Sequence, residues 1–226
     1  MTAALRRAGE RLHRRGMAVP YSPMPIERRT RRAGGARRAA VAETVADVLA
    51  ERGYESTRFA DVAAASGAAI STLQNYFGSR EDMLIEAIRH ATEKEVVALE
   101  AVAQAEADPW LRLVAMIDRN LNTPLTNHRL LIEVWRSSMR DEELRDYSQQ
   151  GWARYRAPFV QTVIDGSDAG VFTPVASPDD IVDLLLASLA GGMIPRTLRF
   201  PNPSADQFRA ALLRHVGVML GRGGYH

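Results

Sequence analysis

From Val41 to Met219 the apolar residues recur three or four positions apart, and no stretch alternates apolar with polar side chains. A period near 3.6 puts such residues on one face of a helix, whereas a half-buried strand needs a period of 2. The chain is therefore predicted to be all-α. Its punctuation agrees. Gly53 and Gly67 stand where helices should stop, since glycine takes the left-handed turn past a helix end at little cost. Ser79 with Asp82, Asp108-Pro109 and Ser177-Pro178-Asp179-Asp180 read as helix starts. In each, a side-chain oxygen can cap free first-turn amides, and a proline at the first helical position forgoes no bond.

These signals divide the chain into segments. Val41, Val45, Val48 and Leu49 mark a helix ending at Gly53, and order is expected from about Ala36. A short helix over 58–66 turns Phe59, Val62 and Ala63 inward, and another over 70–76 has Leu73 and Phe77 as its apolar side. Ser79 opens a long helix to about Ala105. Further stripes run through Val114, Ile117 and Leu121, through Leu130, Leu131, Val134, Trp135 and Met139, and from Leu144 to Phe159 with a kink at Pro158. Two last helices carry Ile181, Leu184, Leu185, Ser188, Leu189 and Gly192, then Phe208, Leu212, His215, Val216 and Met219.

Charge is unevenly spread. The net charge is only +2, yet residues 1–38 hold eleven arginines against Glu10 and Glu27. A basic arm on an acidic body points to a polyanionic partner at that end. Pro20, Pro23, Pro25 and Gly34-Gly35 interrupt any periodicity, so 1–35 is expected to be a disordered arm.

Other classes find little support. There is no cysteine, which rules out disulfides and thiolate metal sites and suits a cytoplasmic protein. No apolar run approaches the roughly 20 residues that cross a bilayer, so no membrane partner is expected. The histidines at 13, 90, 128, 215 and 226 form no HExxH pattern, and there is no glycine-rich phosphate loop. Neither catalysis, a metal nor a cofactor is expected.

The segment "SGAAISTLQNYFGSREDML" is the informative one. Gln and Asn can each grip adenine with two hydrogen bonds in the major groove. Two short helices around Gly67 with a polar second member follow helix-turn-helix logic. With "AERGYEST" before it, the stretch over 37–85 resembles the DNA-binding domain of the tetracycline-repressor (TetR) family of bacterial regulators.

The resemblance implies a module over 36–85 and an effector-binding and dimerisation domain over 86–226. It makes Ser71, Thr72, Gln74, Asn75 and Tyr76 the DNA-facing set of the recognition helix, and Thr57, Tyr76 and Arg80 its phosphate contacts. Arg58 stands where the family often has Thr, an ionic contact in place of a hydroxyl, and Ala69 forgoes the usual cap. The partners it implies are double-stranded operator DNA, a small-molecule effector, and a second copy bound through helices near 181–193 and 204–220. The function implied is a homodimeric repressor. Pocket candidates in the middle helices are Met116, Asn120, Trp135, Met139, Trp152, Tyr155 and Phe159, with Arg136 and Arg156 as anion partners. The rival reading is an architectural or constitutive DNA binder that uses the arginine arm and has no effector.

Overall fold

The computed structural model describes residues 31–200 and 203–222. Among them all regular structure is helical: α1 (Arg31–Arg52), α2 (Phe59–Ser66), α3 (Ile70–Phe77), α4 (Arg80–Ala105), α5 (Pro109–Leu121), α6 (Leu125–Ser138), α7 (Glu142–Asp168), α8 (Pro178–Thr197) and α9 (Ala205–Met219). The described residues from 35 onward make one compact unit. The expected arm lies outside the described residues as far as residue 30. Helix α1 is under way at Arg31, ahead of Ala36, and Arg38 is no part of an arm: its guanidinium pairs with Glu86 and covers the Phe77 ring at 5.5 Å.

The starts and stops follow local chemistry. Ser79 Oγ accepts the Asp82 amide at 3.0 Å, Asp108 accepts the amides of Trp110 and Leu111, and Ser177 accepts that of Asp180. Gly53 and Gly67 sit at φ 80° and 70°, where a Cβ would strain the backbone. Helix α7 runs on through Pro158 without a break in its assignment, and the Thr162 hydroxyl donates to the Pro158 carbonyl at 2.8 Å.

Two apolar clusters organise the unit. One joins Val45 and Leu49 of α1, Val62 of α2, Leu73 and Phe77 of α3, and Leu84 and Ile88 of α4 to Leu130 and Val134 of α6 and Leu144 of α7. The other gathers Leu99, Met116, Phe159, Ile181, Leu185, Leu189, Leu212 and Val216. Helix α4 crosses from the first to the second, so the chain has no structural break at residue 85.

Two of the close approaches that glycine permits lie on helices α7 and α8. A Cβ on Gly166 would lie 2.1 Å from the Phe172 ring, and one on Gly192 would lie 2.6 Å from that of Phe208. Gly191 meets nothing. The stripe expected on α8 divides: Ile181, Leu185 and Leu189 are buried, but Leu184 is 60% exposed and Ser188 is also outside. Burying one helical face in a core leaves the next face free for something else.

Candidate functional site

Helix α3 is held by two side chains. Leu73 is fully buried and Phe77 nearly so, and the Tyr76 ring stands edge-on to Phe77 with centroids 6.2 Å apart. Ala69 precedes the helix without a side-chain cap. Ser71, Gln74 and Asn75 are exposed, and Thr72 and Tyr76 partly so. Fixing the helix through Leu73 and Phe77 alone leaves its outer polar groups available to a partner.

Two of the three expected phosphate contacts, Thr57 and Arg80, are engaged within the protein, while Tyr76 is partly exposed. Thr57 is fully buried, and its hydroxyl donates to the Gly53 carbonyl at 2.9 Å. Arg80 Nε donates to the Thr57 carbonyl at 2.6 Å, a second nitrogen bonds the Tyr54 carbonyl, and the guanidinium lies 5.4 Å from the Tyr54 ring centroid. Both residues thus brace the 53–57 turn against the start of α4. Arg58 is exposed and curls onto the carbonyls of Glu55 and Thr57.

The same turn is clasped from the other side by a residue the sequence reading overlooked. Glu133 of α6 accepts the Tyr54 amide at 3.0 Å and the Arg136 guanidinium at 3.0 Å. Burial opposes ionisation of Glu133, but these hydrogen bonds outweigh it and hold the carboxyl below its ordinary pKa.

Helix α6 also walls a cavity of about 260 Å³. Its lining comes from α1 (Glu43, Ala46, Asp47), α4 (His90, Lys94, Glu95, Val96), α6 (Thr126 to His128, Leu130, Leu131, Val134, Trp135), α7 (Ser148, Gly151, Trp152, Tyr155) and α8 (Leu186, Leu189, Ala190, Met193), with Asn120 and Thr123. Asn120 Nδ2 donates to Tyr155 Oη at 2.8 Å; burial raises the Tyr155 pKa, so the phenol keeps its proton. Glu95 accepts from Arg119 at 2.6 Å and Asn127 at 2.8 Å. At the rim Glu43 pairs with Lys94 at 2.8 Å, with His90 3.7 Å away.

Four of the nine pocket candidates line this space: Asn120, Trp135, Trp152 and Tyr155. The other five stand elsewhere. Met116 and Phe159 are fully buried in the second apolar cluster, and Met139 is 72% exposed past the end of α6. Arg136 is taken up by Glu133, and Arg156 by Asp179 and Asp183 at 2.7 and 2.6 Å. Aromatic and apolar residues at helical spacing line cores as readily as cavities. Of the overlooked lining, Thr126, Asn127 and His128 were signalled only by a polar first turn after Pro124, and Glu95 of α4 by nothing local.

Residues 36–87 match the model of bacterial regulatory proteins of the tetR family, and residues 109–221 match that of the C-terminal domain of BetI-type transcriptional repressors. The chain belongs to the tetR family. It is a transcriptional regulator with a helix-turn-helix DNA-binding module. Solved structures share the fold. A protein from Saccharomonospora viridis, described as a transcriptional regulator and crystallised with choline, is 27% identical, with a TM-score of 0.74 over 81% of this chain and 96% of that one. A TetR regulator from Haloarcula marismortui is 20% identical, with a TM-score of 0.73 over 82% and 99% of the two chains. FadR from Bacillus subtilis, in complex with stearoyl-CoA, is 17% identical, with a TM-score of 0.65 over 82% and 98%. No curated protein sequence matches. In tetR-family terms α2 and α3 are the helix-turn-helix, and α3 is its second helix. No helix among the described residues is long and apolar enough to cross a membrane.

Proposed function

We propose that this regulator is a homodimeric repressor, released from a pseudo-palindromic operator by a small organic cation. The observation that carries the reading is the make-up of the cavity wall. Glu43, Ala46 and Asp47 come from α1 of the DNA-binding module, while Trp135, Trp152 and Tyr155 come from the larger domain. An occupant touches both, so its binding energy can differ between two arrangements of them. Such differential affinity is what a ligand needs in order to shift an equilibrium.

Three features support the individual parts. Gln74 and Asn75 are free on the outer face of α3, where they can read base edges. Leu184 and Ile194 of α8 and Val218 of α9 are exposed apolar residues, Val218 at 69%, and His215 also faces outward. Apolar faces of this kind mark protein contacts, and two-fold pairing through them would set recognition helices one DNA turn apart, about 34–36 Å. Trp135, Trp152 and Tyr155, with Asp47 on the same wall, suit a cation, although Glu43 and Glu95 are already paired with Lys94 and Arg119, and the relative with 27% identity holds choline.

The test is titration of DNA flanking the gene with purified protein, at two salt concentrations, with and without choline. The expected result is a dimer on one footprinted pseudo-palindrome whose affinity falls when choline is added. Equal affinity for every sequence, unchanged by choline and lost on deletion of residues 1–35, would instead establish the constitutive arginine-arm binder.

A further inference from the structure

Helix α3 has only eight residues, and its two buried anchors, Leu73 and Phe77, stand four positions apart. Residues so spaced lie one above the other along a single line of the helix. A helix held along one line can still roll about it. The far face is about 10–12 Å away, so a roll of about 10° carries the ends of Gln74 and Asn75 by roughly 2 Å. Paired hydrogen bonds to a base edge weaken steeply with such misalignment. Precise reading therefore needs a contact that fixes the roll.

Arg38 is placed to make it. The guanidinium, carried by α1, lies 5.5 Å from the centroid of the Phe77 ring. Its Nε donates to Glu86 Oε1 of α4 at 2.6 Å, and a second nitrogen of the fork donates to Oε2. Three helices thus meet at one planar group: α1 supplies it, α4 aims it, and α3 presents the ring that it covers. We propose that Arg38 is a positioning residue for base reading, which sets the roll of α3 through the Phe77 ring while Glu86 holds the guanidinium in place. This rests on the reading that Gln74 and Asn75 contact base edges.

Other tasks suit the pair less well. The Arg38 and Glu86 side chains are 42% and 35% exposed, and ion pairs so open to water add little to stability. What a two-bond fork adds is direction. A DNA phosphate would find one bidentate edge of the fork already taken by Glu86. A lysine at this position would keep the charge but have neither the fork nor the planar face.

The experiment is an anisotropy titration of the full chain on two duplexes, the footprinted operator and a scrambled duplex of equal length, at two salt concentrations. Wild type is compared with Arg38→Lys, Arg38→Met, Glu86→Gln, Arg38→Lys/Glu86→Gln and Gln74→Ala/Asn75→Ala, each well below its melting temperature. Arg38→Lys and Arg38→Met should each bind the operator about tenfold more weakly, with wild-type affinity and salt slope on the scrambled duplex. Glu86→Gln should also weaken operator binding, although removing an acidic charge would by itself favour DNA. The combined variant should lose no more than Arg38→Lys alone, since both changes act through one contact. A fall on both duplexes in Arg38→Met, with a salt slope shallower by about one and with Arg38→Lys near wild type, would make Arg38 a phosphate contact. A wild-type ratio of operator to scrambled affinity in every Arg38 and Glu86 variant, with only the melting temperature lowered, would make it a brace for the fold. Either result overturns the proposal. If discrimination is lost in Gln74→Ala/Asn75→Ala but kept in both Arg38 variants, the role of Arg38 alone is refuted. If wild type binds the two duplexes equally and Gln74→Ala/Asn75→Ala changes nothing, base reading by α3 has failed and the proposal falls with it.

Discussion

Helix α3 and helix α6 each carry hydrogen-bonding side chains, Ser71, Thr72, Gln74 and Asn75 on one and Thr126, Asn127, His128 and Glu133 on the other. On α3 they point away from the unit, and Leu73 and Phe77 do the holding. On α6 they point inward, toward the cavity and toward the Tyr54 amide, while Leu130 and Val134 join the apolar cluster shared with α3. The same residue chemistry thus serves a surface that waits for a partner and a seam that binds two parts of one chain. What separates the cases is which helical face the apolar residues occupy, a matter of register rather than composition.

The sharpest way to break this comparison is to cut each helix at its apolar anchor. Leu73→Ala should cost about 2–5 kcal/mol of stability, as large-to-small changes in a packed core do, read as a fall in the urea midpoint. Next in size, Gln74→Ala/Asn75→Ala should leave that midpoint in place and remove about 1–3 kcal/mol of operator discrimination for each base edge lost. Fluorescence anisotropy on matched and scrambled duplexes measures it, and undiminished discrimination would take α3 out of the base-reading role. Arg80→Ala removes bonds to the Thr57 and Tyr54 carbonyls and should lower stability by roughly 1.5–3 kcal/mol. Were Arg80 chiefly a phosphate contact, the loss would appear in DNA affinity with the melting temperature unmoved.

Glu133→Gln probes the seam. It weakens an amide clasp that now enjoys a full negative charge, so stability should drop by about 1 kcal/mol. Ligand affinity and operator affinity, each measured alone, should stay near wild type, while the effect of one on the other shrinks. Full retention of that coupling would remove α6 from the route. The smallest effect is on pH. Because burial and Arg196 lower the His128 pKa, protons favour the unfolded chain. The contribution is whole above the unfolded value of about 6.5 and declines as the pH falls below it. The melting temperature should therefore drop more between pH 7.5 and 5.5 in wild type than in His128→Leu, by a few degrees.

The helices were legible in the sequence because their signals are local. Ser79 and Asp82 are three residues apart, and Gly67 needs only its own backbone. Gln74 and Asn75 could be singled out for the same reason. The Arg80 bonds were not legible because their partners are more than twenty residues away; nothing within the motif says that an arginine folds back onto the Thr57 and Tyr54 carbonyls. The cavity was half-legible. Trp135, Trp152 and Tyr155 share a residue type with Phe159, and only packing decides which of them faces a void. The role of Glu133 arises from a contact between distant segments, with the Tyr54 amide. Such contacts leave no periodic trace.

Helix α4 is a single rigid rod of 26 residues, about 39 Å long at the usual rise per residue. His90, Lys94 and Val96 on the cavity wall lie near its middle, and Arg80 is its first residue. Treated as an arm pivoting at the cavity, it has a gain: a swing of about 5° carries the Arg80 end roughly 1.5–2 Å sideways. Arg80 is bolted to the 53–57 turn, so the displacement passes to the reading head without slack. A second copy would make the same movement in the opposite sense, and the error in half-site spacing would double. On the proposed release by a ligand, an occupant too small to reach the DNA would need only to nudge the pivot.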